Sequence, residues 1–358
     1  MIRINVINSI KGGCGKSTLS LYLADYMKRK GSTPVILDLD ICGTSWQKNF
    51  KSFFVEKKEF DKRFVFINDL IFDFNNGITG RFIANMNIAS EGSDTFEDYQ
   101  LQICMADPKS KRKIHDEQLD LFEAAIFKLI KTIIDDYYND DSDCDLIFDM
   151  PPGYEDHAEC VINHLLFDIN SQLIKYLDKN YKWKYEIHMI MASGFNRASV
   201  EMNIEYIQRL YNNGQNYSCI VNKVLKEENI AYVFIDISDV CKGSDIGDNF
   251  FNIEKNKVSE KSPVLKVEHL SELSANSSLK MNINEESEDT RLVINKNDRT
   301  CFTVLFDKIY PSLKSGKEKE SEESSDDINE KKTISSGTTT DKSMSIISAD
   351  SVTAENKK

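Results

Sequence analysis

The sequence predicts an α/β protein: a mostly parallel sheet with helices on both faces. Three observations carry this. Short apolar, β-rich runs alternate with stretches at helical spacing. Several of those runs are apolar at consecutive positions, as strands covered on both faces are. A glycine-rich loop joins the first run to the first helical stretch. In order, residues 2–8 (IRINVIN) read as a strand, and the LSLYLADYMKRK stretch reads as a helix stopped by Gly31. PVILDLD is the next buried strand and YQLQICMA another. Leu121, Phe122, Ala125, Ile126, Leu129, Ile133 and Ile134 give residues 117–138 a helical apolar face. An acidic turn leads into the strand LIFDM. A helix near residues 156–177, the strand YEIHMIMA, a helix after Asn196 and the strand YSCIVN follow. Residues 48–98 are aromatic and Asn-rich with weak periodicity, and read as an insertion or irregular layer. Residues 236–300 carry only short apolar runs. There is no internal repeat.

Composition narrows the class. The 358 residues are 41% hydrophobic, enough for a sizeable core. No apolar run approaches the ~20 residues of a membrane span, and the opening MIRINVINSI leaves no room for a signal peptide, so a cytoplasmic protein is expected. The net charge of −13 argues against coating nucleic acid through bulk positive charge. From Ser315 onward the chain is Ser-, Thr- and charge-rich with no aromatic residue, and is expected to be disordered. That tail holds seven Lys against ten Asp or Glu, so most of the acidity belongs to the body, residues 1–314. The tail is not the amphipathic helix that docks on a membrane. The eight cysteines form no C-x-x-C pair, which leaves no zinc-ribbon or iron–sulfur signature. The basic run KSKRK at residues 109–113 is short.

The chemistry is concentrated in Lys11-Gly12-Gly13-Cys14-Gly15-Lys16-Ser17-Thr18, after a strand and opening a helix. Glycines there let backbone N–H groups turn inward around phosphate oxygens. Lys16 is placed to reach the β and γ phosphates, Ser17 to ligate Mg²⁺, and Thr18 to bond an outer phosphate oxygen. The bland alternatives are a glycine turn without a ligand and, for Lys11, a solvent lysine beside a loop. The generic phosphate loop would carry Gly where Ile10 stands, and this chain instead has Lys11 before the glycine pair.

This KGGxGK[ST][ST] form resembles the deviant Walker A motif of the ParA/MinD family of P-loop ATPases. The resemblance implies a P-loop NTPase fold over residues 1–314, ATP and Mg²⁺ as cofactors, and ATP hydrolysis. It also implies a homodimer on ATP binding, with Lys11 reaching the partner's phosphates, and an activating partner protein. Three further segments match in order. Asp38-Leu39-Asp40 stands where the family carries D-x-D: Asp40 would position the attacking water or support the metal, and Asp38 would hold the phosphate loop or the magnesium shell. Asp149-Met150-Pro151-Pro152-Gly153 resembles the switch II motif: Asp149 would hold Mg²⁺ through water and Gly153 would offer its N–H to the γ-phosphate. Asn222, after the strand Ser218-Cys219-Ile220-Val221, would read adenine. The sequence after Asp40, Ile41-Cys42-Gly43, looks more like the MinD branch than the Pro-Gln of the partition branch. DNA partitioning or intracellular positioning is the expected role, and the acidic body does not favour nonspecific DNA as the direct partner. The alternative on the same scaffold is an ATP-dependent carboxylate-activating ligase. A binding protein that hydrolyses little is a third reading.

Overall fold

Along the first apolar run, alternate residues leave for opposite sides, because successive strand side chains point to opposite faces. Ile2, Ile4 and Val6 enter one buried cluster and Ile7 another. The same division holds for Val35 and Leu37 against Ile36, and for Leu146 and Phe148 against Ile147. A sheet that buries both faces needs a cover on each, and both are helical. The computed structural model describes residues 1–41, 43–44, 46, 50–55, 64–72, 82–90, 98–107, 115–138, 142–153, 157–182, 184–193, 202, 206, 216–221, 264–266, 280–282, 291–294, 299, 302–303, 306–307 and 309–314.

The strands are β1 (Ile2–Ser9), β2 (Thr33–Asp38), β3 (Ala84–Ser90), β4 (Asp98–Cys104), β5 (Cys144–Pro152), β6 (Tyr185–Ser193), β7 (Asn216–Val221), β8 (Val264–Lys266), β9 (Lys280–Asn282) and β10 (Arg291–Ile294). The helices are α1 (Lys16–Arg29), α2 (Ile67–Phe72), α3 (Leu119–Tyr137), α4 (His157–Phe167), α5 (Gln172–Asn180) and the short α6 (Pro311–Lys314). One sheet runs β8-β7-β6-β1-β5-β2-β4-β3-β10-β9. Every pairing from β8 to β4 is parallel. Beyond β4 the pattern changes: β3 is antiparallel to β4, β10 parallel to β3, and β9 antiparallel to β10. The predicted mostly parallel sheet with helices on both faces is therefore the observed one. Phe122, Ile126, Leu129 and Ile133 of α3, with Ile162 and Leu165 of α4 and Leu173 and Leu177 of α5, cover one face. Leu19, Leu23, Tyr26 and Met27 of α1, with Phe302, Phe306 and Tyr310, cover the other.

The structure departs from the sequence reading in two places. The helix expected near residues 156–177 is two helices, α4 and α5. Asp168 Oδ1 accepts the N–H of Asn170 at 2.8 Å, and Ser171 Oγ accepts the N–H of Ile174 at 3.1 Å. Short polar side chains thus take over backbone donors and restart the helix, which periodicity alone does not register. The second departure lies within residues 48–98, where β3 joins the main sheet. Phe50, Phe53, Phe54, Phe64 and Phe66 are all buried in the α1-side core. Isolated aromatic anchors fill a core without any period, so the segment reads as irregular.

At the end of the sheet where β1 and β5 begin, Arg3 is buried and donates to Asp145 Oδ2 at 3.0 Å and to Asp143. Asn5 and Ser32 also donate to Asp145, and the Tyr310 hydroxyl donates to Asn5 Oδ1 at 2.6 Å. A buried guanidinium held this way stays in register because losing a partner strands a charge. The chain divides into two units, Met1–Lys314 and Ser315–Lys358. The expected disordered tail lies outside the described residues.

Candidate functional site

Strand alternation decides where the acids go. Asp38 follows Ile36 and Asp149 follows Ile147 on the face covered by α1. Asp38 and Asp149 are opposite each other in the β2–β5 register, at the carboxyl ends of adjacent parallel strands. In open parallel sheets that edge is where ligands bind.

The phosphate loop spans the turn from β1 to α1. Gly13 and Gly15 hold φ of 76° and 87°, left-handed values that a side chain disfavours. Gly15 is the N-cap of α1; it has no side-chain cap bond, and the first turn carries no acidic residue. Such a helix start favours an anion. Lys16 is 8% exposed, and its Nζ donates to Ser9 Oγ at 3.2 Å. Ser9 Oγ in turn donates to the Lys11 carbonyl at 2.7 Å. Lys11, Gly12, Gly13 and Thr18 are exposed, Cys14 is buried, and Ser17 is half-buried. Helix α1 is anchored at its far end. Asp25 accepts from Arg29 at 3.0 Å, from Arg299 at 2.8 Å and from Tyr99. Tyr26 donates to Asp307 at 2.9 Å.

Asp149 is buried; Trp46 Nε1 donates to its Oδ2 at 2.7 Å, and Ser17 also hydrogen-bonds this carboxylate. Burial pushes the Asp149 carboxyl up to about 6 against the pull of Ser17, Trp46 and Lys16. Asp38 accepts from Thr44 Oγ1 and from the Ala106 N–H at 3.3 Å. Its carboxyl is pushed well above the usual range, by burial first and then by the charge of Asp149. The remaining oxygens, Asp38 Oδ1 and Asp149 Oδ1, are buried without a hydrogen-bond partner. Two orphaned oxygens on register-paired carboxylates, one of them on the acid that Ser17 and Lys16 face, fit a hard divalent cation shared with phosphate, which takes few protein ligands and keeps water. Among the described residues no three His, Cys, Asp or Glu side chains form a complete metal cage.

Asp40 is half-buried just past β2. A Cβ on Gly43 would lie 2.9 Å from Asp40 Oδ1, so Gly43 leaves room for that carboxylate. The Gly153 N–H, expected to meet a γ-phosphate, donates here to the Ser9 carbonyl at 3.0 Å, and Gly153 has φ of 108°. Pro152 lies 3.8 Å from where a Gly12 Cβ would be, so the two loops touch. The residues Lys11 to Thr18, Asp38, Asp40, Asp149 and Gly153 therefore gather at one end of the sheet. Asn222 lies outside the described residues; the strand leading to it, β7, ends at Val221. Sequence reasoning missed Thr44 and Trp46. The available signal was a Thr and a Trp closely following the Asp38-Leu39-Asp40 motif.

A glycine loop joining β1 to α1 at the carboxyl edge of a mostly parallel sheet is the layout of a P-loop nucleoside-triphosphatase fold. Residues 2–63 match the family model described as ParA: NUBPL iron-transfer P-loop NTPase, which covers β1, the phosphate loop, α1 and the Asp38-Leu39-Asp40 motif. No curated protein matches. Among solved structures, the chain is similar to a plasmid partition protein from Borrelia burgdorferi bound to AMPPNP. The two are 17% identical with a TM-score of 0.51, over 87% of this chain and 100% of that one. A pNOB8 ParA bound to nonspecific DNA matches at 12% identity and a TM-score of 0.48, over 90% of this chain and 99% of that one. MinD from Pyrococcus horikoshii with Mg-ADP matches at 14% identity and a TM-score of 0.38, over 64% and 73%.

Proposed function

We propose that the chain is an Mg²⁺-dependent ATPase that works as a dimer switch in DNA partitioning or intracellular positioning. The observation that carries this reading is the pair of orphaned oxygens, Asp38 Oδ1 and Asp149 Oδ1, buried behind the loop that holds Lys16 and Ser17. Mg²⁺, when bound, would neutralise charge on the phosphate oxygens and on these two carboxylates. Lys16 leaves Ser9 for the β and γ phosphates, and the loop N–H groups and the start of α1 supply the rest of the cradle. Asp40, outside the most buried ring, orients the attacking water. Lys11 is exposed on the loop, open to a second copy of the chain, where a cation stabilises charge on the transferring phosphoryl. The Gly153–Ser9 bond links the Asp149–Gly153 segment to the end of β1, just before the phosphate loop. Breaking it frees the Gly153 N–H for a γ-phosphate and lets the switch differ between ATP and ADP states.

The cysteines Cys14, Cys104, Cys144 and Cys160 are free thiols, and no cluster of three metal-binding side chains is present among the described residues. No helix among the described residues is long and apolar enough to cross a membrane.

Light scattering with AMPPNP and with ADP tests the proposal, alongside phosphate release from ATP. The expected result is a doubled mass with AMPPNP only, and Mg²⁺-dependent release. Equal masses in both states overturn the dimer switch; no release above buffer overturns the ATPase. Salt-sensitive DNA binding confined to the ATP state would assign the partitioning branch.

A further inference from the structure

Resting on the Mg²⁺–nucleotide reading above, we propose that Thr44 and Trp46 are positioning residues for the cation, one holding each of its two carboxylates. The Thr44 hydroxyl donates to Asp38 Oδ2, and the Trp46 indole N–H donates to Asp149 Oδ2 at 2.7 Å. The oxygens left over, Asp38 Oδ1 and Asp149 Oδ1, are the two without partners. Each carboxylate is thus tied by one oxygen and presents the other. The two ties are also joined, because the Trp46 backbone N–H donates to Thr44 Oγ1 at 3.3 Å. One short segment after β2 therefore sets both acids together, although they lie on different strands and 111 residues apart in sequence.

The segment is itself held. Asn68 is buried, donates to the Ile41 carbonyl at 3.2 Å and accepts the Asp107 N–H at 2.7 Å. Ala106, next to Asp107, donates its N–H to Asp38 Oδ2. Trp46 is fully buried, with Phe50 at a ring-centroid distance of 5.4 Å. An indole is a donor only, so at this place it can hold a carboxylate but never compete with it for the cation. Partners that orient a metal's ligands generally carry a large share of its affinity.

The test separates cation from nucleotide. Calorimetry gives ADP binding in EDTA, and then the Mg²⁺ concentration for half-saturation at saturating ADP. Trp46→Phe keeps an aromatic ring in the core and removes the N–H. It is expected to raise that concentration about tenfold and to leave ADP binding in EDTA within twofold. Thr44→Val is expected to act the same way, with Thr44→Ser restoring the parent value. Phe50→Leu disturbs the packing of Trp46 without touching either hydrogen bond, and is expected to leave Mg²⁺ unchanged. The chain has two tryptophans, so Trp183→Phe leaves Trp46 as the sole tryptophan, read by excitation that spares tyrosine. Its fluorescence is expected to shift on adding Mg²⁺ to the ADP complex and not on adding ADP in EDTA. An unchanged Mg²⁺ requirement in Trp46→Phe overturns the proposal, as does an equal loss in Phe50→Leu. If the parent chain binds neither ADP nor Mg²⁺–ADP, the nucleotide reading itself fails, which is a distinct result.

Discussion

At the residue scale, the phosphate-loop lysines are expected to separate binding from turnover. Lys16 is 8% exposed and held by Ser9, whereas Lys11 is exposed. Lys16→Ala is expected to lose nucleotide binding with the circular dichroism spectrum intact. Lys11→Ala is expected to keep nucleotide binding and to lose most phosphate release, since its cation would act on a partner's phosphate. Comparable binding loss in both variants would refute that division. The buried acids make a second case. Asp149 and Asp38 repel each other in a low-dielectric setting, so holding both acids buried costs stability. Asp149→Asn is expected to raise the melting temperature at neutral pH by several degrees, the equivalent of about 1–2 kcal/mol. The same variant is expected to abolish the Mg²⁺ dependence of nucleotide binding. Calorimetric melting of the two proteins side by side checks the sign.

At the scale of elements, the break between α4 and α5 depends on one hydroxyl. Ser171 is buried, accepts the Ile174 N–H and donates to the Leu165 carbonyl at 2.6 Å, tying the start of one helix to the end of the other. Ser171→Ala is expected to cost about 1–2 kcal/mol in urea denaturation, the loss of an N-cap plus a stranded carbonyl. Asn170→Ala, next to it and exposed, is expected to cost little. Equal costs would show that the cap does not carry the junction. The central strands and α1 were legible because each is a continuous apolar run or a clean helical face. The α4–α5 junction and β3 were not. The first is decided by side-chain competition for backbone donors, the second by a long-range pairing of Ile88–Ser90 with β10.

At the scale of the whole molecule, one buried base links stability to pH. His188 sits on β6 beneath Tyr310, with ring centroids 5.3 Å apart. Burial pulls its ring from the ordinary 6.5 down to about 4, so the fold keeps it neutral where an unfolded chain would protonate it. Its contribution is intact above pH 6.5 and is lost progressively as the pH falls from 6.5 to about 4. The full loss amounts to about 3 kcal/mol. His188→Gln is expected to flatten the stability profile across that window and to leave it unchanged above pH 7. An unaltered slope in urea melts from pH 7 to pH 4.5 would refute the assignment.

The sequence by itself determined the sheet class, the phosphate loop and the three acids, because each is written in contiguous residues: a strand period, a glycine turn, an acid at a strand end. The tertiary structure alone decided which oxygens of Asp38 and Asp149 are tied and which are left over. It also decided that Thr44 and Trp46 do the tying, and that the Gly153 N–H is engaged by Ser9. The physical reason is distance along the chain. Contacts between neighbouring residues follow from local geometry. A hydrogen bond such as Trp46 to Asp149, 103 residues apart, exists only once parallel pairing has set β2 beside β5.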